Sequence, residues 1–219
     1  MNRRDFSSRV ALLGVVGSLP GFALAQGGPV EGRHYRIVSP PAPVSAGKIE
    51  VIEFFWYGCP HCYAFEPVVE PWIKRLPADV AFRRVHVLFR ENTRTHQRTF
   101  FALEALDREA EFRPKIFNAL HKEGLSLDNP ESMAAFLAKQ GLDKAKFLEV
   151  YNSFSVQSKS MQAVKLSEAY HIDGVPSIGV GGRFLTSPSM AGQGASENVA
   201  LQQGVVVADF LIGRVRGAK

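Results

Sequence analysis

Apolar and polar positions fall into distinct blocks along this chain, and each block predicts an element. Ile49 to Trp56 (IEVIEFFW) is an apolar run broken only by Glu50 and Glu53, with β-branched and aromatic residues on both alternating faces. That is the pattern of a central strand covered on both sides. Pro60 to about Leu76 reads as a helix and Val80 to Phe89 (VAFRRVHVLF) as a second strand, an order that favours parallel strands joined by a right-handed crossover. From about Asn92 to Ala163 the pattern turns helical: a Phe100, Phe101, Leu103, Leu106 stripe, a piece around Ile116 to Leu120, and Pro130 to Gln140 capped by Asn129 and stopped by Gly141. Asp143 to Phe154 and Val156 to His171 continue it. Strand character returns at Ser177 to Leu185, where Gly181-Gly182 predicts a two-residue hairpin turn. After Ser196, Leu201, Val205, Ala208, Ile212 and Val215 recur at steps of four and three, an amphipathic helix. The sum is an α/β fold, residues 26–91 and 164–219, interrupted by a helical insertion domain, residues 92–163, with a Gly- and Pro-rich extended arm over 26–47.

The first 25 residues stand apart. Arg3 and Arg4 precede the apolar stretch Val10 to Ala25, and Ala23-Leu24-Ala25 supplies the small-x-small pattern of a signal-peptidase site, so residues 1–25 are expected to be a cleaved signal peptide with Gln26 as the mature N-terminus. The alternative, a membrane anchor, is opposed by Pro20 and Gly21, which break the run short of the ~20 residues a spanning helix needs. Export follows as the expectation; the route, Sec, SRP or twin-arginine, does not. Of the formal charge of +5, residues 1–25 supply +2, and the remaining +3 is too mild to indicate a nucleic-acid partner. With 46% apolar and 21% charged residues the chain is an ordinary folded protein, neither disordered nor multi-span.

The 219 residues hold only two cysteines, Cys59 and Cys62. A four-thiolate zinc site and a disulfide-stapled miniprotein are both excluded. Cys59-Pro60-His61-Cys62 falls where the first strand gives way to its helix. Unpaired N–H groups and the helix dipole favour a thiolate there, Pro60 suits the first helical turn, and His61, when protonated, adds a second stabiliser, so Cys59 is expected to have a depressed pKa. The spacing brings the two residues within disulfide range, and a stabilised Cys59 thiolate makes the oxidised pair a strong oxidant. A substrate thiolate would attack Cys59, and a second substrate thiol would then expel it, leaving Cys62 as the resolving thiol of the reverse direction. A static bridge would stabilise little across so short a loop. A metal site made of two thiolates and His61 lacks a fourth ligand nearby, and Tyr63 stands where covalent haem attachment needs histidine. No metal and no bound cofactor are expected.

Glu53, on the first strand six residues before Cys59, is costly to bury unless paired or protonated. Burial would raise its pKa and suit it to move a proton for Cys62; a paired structural acid is the alternative. Glu66 and Arg84 are read as a solvated or mutual ion pair.

The stretch EFFWYGCPHCYAFEP, together with Gly174-Val175-Pro176 and the helix-interrupted layout, resembles the DsbA family of periplasmic thiol:disulfide oxidoreductases over residues 34 to 215. The resemblance implies a thioredoxin fold, Cys59 as nucleophile, Cys62 as buried partner, Glu53 at the family's buried acid position, and a cis Val175–Pro176 bond whose backbone pairs with extended substrate. It further implies a periplasmic location, newly exported, partly unfolded protein substrates, and reoxidation by a DsbB-like, quinone-linked membrane oxidase; a monomer is expected. Arg84 stands where some members have lysine, and Pro67 and Pro71 predict a kink or early end in the active-site helix. The competing readings are a disulfide isomerase or reductase on the same fold and a non-catalytic metal- or peptide-binding module. Against the isomerase, only residues 26–58 precede Cys59, room for an arm and one strand but not for a dimerisation domain.

Overall fold

The computed structural model describes residues 27–218; the expected signal peptide and Gln26 lie outside them. In chain order the elements are β1 (Arg36–Ile37), β2 (Ile49–Phe55), α1 (Pro60–Lys74), β3 (Val80–His86), α2 (Arg94–Ala105), α3 (Glu109–His121), α4 (Pro130–Lys139), α5 (Lys144–Tyr151), α6 (Phe154–Ala169), β4 (Ser177–Val180), β5 (Phe184–Thr186), α7 (Pro188–Ala191) and α8 (Glu197–Gly217). The sheet runs β1-β5-β4-β2-β3. β2 is its centre, parallel to β3 and antiparallel to β4, and every residue of β2 is buried.

The alternation of β2 divides the core. Ile49 and Val51 pack with Phe65, Val69 and Trp72 of α1 and with Leu201, Ala208, Leu211 and Ile212 of α8. Ile52 and Phe54 belong to the second cluster, Phe54 against Tyr170, and Phe55 at the end of the strand reaches the insertion, its ring 5.3 Å from Phe100. Full burial of each such side chain is worth about 1.5–3 kcal/mol, so both faces are firmly held. Glu53 follows Ile49 and Val51 in register and therefore faces α1.

Several boundaries match the pattern. Asn129 Oδ1 accepts the Ser132 N–H at the start of α4, and Gly141 takes φ 93° beyond its end. Asp143 caps α5 in the same way.

Four details differ. The arm over 26–47 carries the short strand β1, paired antiparallel with β5. α1 continues past Pro67 and Pro71 to Lys74 instead of ending early, because the two missing N–H groups lie in a helix whose Phe65, Val69 and Trp72 are buried and whose Trp72 Nε1–H donates to Asp209 of α8 at 2.7 Å. α5 ends at Tyr151 and α6 starts at Phe154, which the pattern placed at the end of the preceding helix. Between β4 and β5, Gly181 and Gly182 do take φ 59° and 68°, with Arg183 N–H donating to Val180 O, but the register pairs Val180 with Phe184 and so leaves three residues in the loop.

Candidate active site

The site is built where β2 ends. Because Phe54 pairs with Ser177, the chain entering β4 lies beside the chain leaving β2, bringing Val175 and Pro176 against the Cys59 turn. Cys59 Sγ lies 3.4 Å from the Val175 carbonyl oxygen, and the Val175–Pro176 bond is cis, as is Ser39–Pro40.

Cys59 is the N-cap of α1, in extended conformation (φ −87°, ψ 117°), with Pro60 as the first helical residue and no acidic side chain in the first turn. A sulfur therefore occupies the place where helices usually present a serine or aspartate oxygen. Cys59 is held at about 6, well below an ordinary thiol. The largest cause is the Cys62 thiol donating toward it; burial works against ionisation, and the backbone N–H groups of Cys62 and His61 and the charge of His61 favour it. Cys62, one turn in, is fully buried. Burial pushes its thiol well above the usual range, with Cys59 and the charge of Glu53 adding to the effect. Two cysteines three residues apart thus have opposite acidities, and both are reduced in this structure.

His61 is exposed, and its Nδ1 lies 2.6 Å from Glu197 Oε1 on the first turn of α8. This contact raises the His61 pKa. Beside it opens a cavity of about 650 Å³ whose lining includes His61, Val175, Pro176, Leu185, Met190 and Leu201.

Glu53 is buried and raised to about 7, chiefly by burial and against the pull of Arg84, with Glu66 adding to the rise. Arg84 Nε donates to Glu53 Oε2 at 2.8 Å. Glu53 is therefore paired, and burial also favours its protonated form. Of the two readings of Glu66 and Arg84, the mutual ion pair is found, at 3.6 Å, but it is largely buried and not solvated, and Arg84 also meets Glu70 at 2.8 Å. The burial has a physical reason, since β3 carries Arg84 beside Glu53 in register and α1 lays Glu66 and Glu70 over the pair.

The Trp56-Tyr57 segment before Cys59 is anchored by three histidines that sequence reasoning did not single out. Trp56 Nε1–H donates to His96 Nδ1, whose Nε2–H in turn meets the Leu127 carbonyl. Tyr57 N–H donates to His86 Nε2, and His121 Nε2–H donates to the Tyr57 carbonyl at 2.7 Å. His121 also stacks on Tyr63, 5.1 Å between centroids at 10°. Burial lowers the pKa of His86 and His96, which keeps them neutral and able to accept. Among the described residues, no group of three or more His, Cys, Asp or Glu side chains is arranged to hold a metal ion.

An easily ionised thiol at a helix N-terminus, a buried partner thiol behind it and a cis-proline loop across from it, on a thioredoxin fold with a helical insertion, define a protein disulfide oxidoreductase. A family model described as a DSBA-like thioredoxin domain matches residues 50–202. The chain is 43% identical to a thiol:disulfide interchange protein DsbA of Burkholderia cepacia, over 95% of this chain and 96% of that one, and 45% identical to that of Pseudomonas aeruginosa, over 92% of each. The crystal structure of Pseudomonas aeruginosa DsbA superposes with a TM-score of 0.81 at 43% identity, covering 87% of this chain and 96% of that chain. The oxidoreductase NmDsbA1 of Neisseria meningitidis gives 0.73 at 32% identity, covering 86% and 95%. The chain belongs to the DsbA family.

Proposed function

We propose that this protein works as an oxidant in the periplasm, donating a Cys59–Cys62 disulfide to newly exported, partly unfolded proteins. The opposed acidities of Cys59 and Cys62 carry this reading. A substrate thiolate attacks Cys59 Sγ of the disulfide; the Cys59–Cys62 bond breaks, and Cys62 leaves with the electron pair and takes a proton. A second substrate thiolate then attacks the substrate sulfur of the mixed disulfide, and Cys59 leaves as a thiolate. Two electrons pass from substrate to enzyme. The low pKa of Cys59 makes it a good leaving group and stabilises the reduced product, so the reaction runs toward substrate oxidation.

Glu53, on the face of β2 that meets α1, supplies the proton that Cys62 requires and recovers it on reoxidation. Val175 offers backbone hydrogen-bonding groups to an extended segment, and the adjoining cavity, where Val175, Pro176, Leu185, Met190 and Leu201 supply apolar surface beside Arg36, Asp173 and Glu197, accepts apolar side chains without demanding a sequence. The protein acts as a monomer without a bound cofactor. A DsbB-like membrane oxidase that passes electrons to quinone restores the disulfide. No helix among the described residues is long and apolar enough to cross a membrane, and the apolar segment in residues 10–25 is an export signal.

The test is transfer to a reduced, unfolded protein by the oxidised enzyme. One disulfide appears in substrate per enzyme consumed, and reduced Cys62→Ser, given a disulfide-containing unfolded protein, accumulates mixed disulfides at Cys59 as its thiolate attacks the substrate disulfide and expels a substrate thiolate. Accumulation by Cys59→Ser instead would reverse the two roles.

A further inference from the structure

The buried ion pair under the active site extends beyond Glu53 and Arg84. Arg113 of α3 is also buried, and its three guanidinium nitrogens each meet a carboxylate: Nε to Glu66 at 3.0 Å, Nη2 to Glu70 at 2.6 Å and Nη1 to Glu109 at 2.7 Å. Glu70 Oε1 is shared, since Arg84 Nη2 donates to it at 2.8 Å. Glu109 in turn accepts from the hydroxyl of Tyr57 at 3.0 Å. One network therefore runs from β2 and β3 through α1 to the first turns of α3 and back to the loop before Cys59.

Its charges do not balance. Glu53, Glu66, Glu70 and Glu109 face only Arg84 and Arg113, an excess of two negative charges if all four carboxyls ionise. A buried excess of that kind is relieved by keeping a proton, and Glu53 is the most deeply buried of the four, 1% exposed against 12% for Glu109, 16% for Glu66 and 35% for Glu70. How firmly the proton is kept depends on how much positive charge the insertion supplies.

We propose that Arg113 is a positioning residue for thiol exchange: through the α1 carboxylates it shares with Arg84, it sets the charge balance around Glu53 and so governs the proton that Glu53 exchanges with Cys62. The proposal rests on the proton role given to Glu53 above. It assigns the helical insertion a chemical task, because the guanidinium that completes the network comes from α3 and not from the sheet. Glu66 and Glu70 act as the link. Without Arg113 both turn wholly to Arg84, which leaves Arg84 less able to offset Glu53 and leaves the network with an excess of three negative charges. Glu53 then holds its proton to higher pH.

The groups facing this network are few. From α1 come Glu66, Glu70 and the thiol of Cys62, whose acidity the charge of Glu53 affects. From β3 comes Arg84, and from the loop after β2 comes Tyr57, whose buried hydroxyl stays protonated well above its ordinary range. Glu104 of α2 feels Glu109 and lies 4.0 Å from Lys159 of α6, at the outer margin. None of these supplies a cation in place of Arg113.

The experiment is a carbon-13 NMR titration of the side-chain carboxyls in the reduced full chain, paired with the pH profile of thiol exchange. In Arg113→Met the Glu53 midpoint rises by about one pH unit, and the break in the exchange profile moves with it. Arg113→Lys, which keeps the charge, stays near the native midpoint. Glu109→Gln, which frees Arg113 for Glu66 and Glu70, moves the midpoint down and serves where Arg113→Met does not fold. An unmoved Glu53 midpoint in folded Arg113→Met, or an unmoved or rising one in Glu109→Gln, overturns the proposal whatever the kinetics. A midpoint that moves while native exchange shows no break there instead overturns the proton role of Glu53, and with it the link from Arg113 to exchange.

Discussion

Glu197 and His61, separated by 136 residues in the chain, meet at 2.6 Å at the mouth of the active site. The last helix of the fold thereby touches the CPHC turn directly. Both side chains are more than half exposed, so the contact adds little to stability, a few tenths of a kcal/mol as exposed pairs do. Its effect is on the protonation of His61. Glu197→Gln should lower the His61 pKa, read from imidazole proton shifts, with little change in Tm. The raised pKa of the folded state gives stability that is complete at low pH and lost as pH rises through the folded value. Any Tm difference between native protein and Glu197→Gln should therefore vanish in alkaline buffer.

Glu53→Gln tests the buried acid. Its carboxyl ionises at about 7 in the folded protein against an ordinary 4.5. A raised carboxyl binds its proton more tightly folded than unfolded, so this contribution to stability is complete below pH 4.5 and is lost as pH climbs to about 7. Glu53→Gln should flatten the stability profile across that window and slow thiol exchange without abolishing it. Exchange rates identical to native at every pH would remove Glu53 from the proton path.

Redox state should change the pH dependence of stability. In the reduced protein Cys59 is depressed to about 6, which gives stability present in alkali and lost as pH falls through 6. The oxidised protein has no such thiolate. Denaturant titrations should show the reduced form losing about 1 kcal/mol relative to the oxidised form between pH 7 and pH 5. A constant difference would contradict a stabilised thiolate.

Gly58 allows the turn to close. A Cβ there would stand 2.4 Å from the Trp56 ring, which is itself tied to His96. Gly58→Ala should push Trp56 off His96, destabilise by about 1–3 kcal/mol as overpacking does, and change the Trp fluorescence. Unaltered fluorescence and Tm would show that the ring moves freely.

Much of this site was legible because its chemistry is local. Cys59, Pro60, His61 and Cys62 lie on one turn, and the strand before them is apolar on both faces except at Glu50 and Glu53, so the position of the thiols and the burial of Glu53 follow from pattern alone. One helix of the insertion was also legible from its cap, at Asn129, whereas the Ser153 cap was read as helix interior. What escaped depends on pairing at long range. Arg84 could be paired with Glu66 from the sequence, but its burial and its further partners Glu53 and Glu70 appear only when β3 is set beside β2 and α1 is laid over both. Glu197 reads only as a favourable acid in a helix's first turn. The histidines 86, 96 and 121 come from three elements and give no local signal that they converge on Trp56 and Tyr57. Pro67 and Pro71 argue against a long helix locally, yet the buried face of α1 outweighs them.

The most direct test of the whole account is a pH titration of thiolate absorbance in the reduced protein. It should show one thiolate forming with a midpoint near 6, assigned to Cys59 by its loss in Cys59→Ser, and a second only in strong alkali. A first midpoint in the ordinary thiol range, near 9, would contradict it.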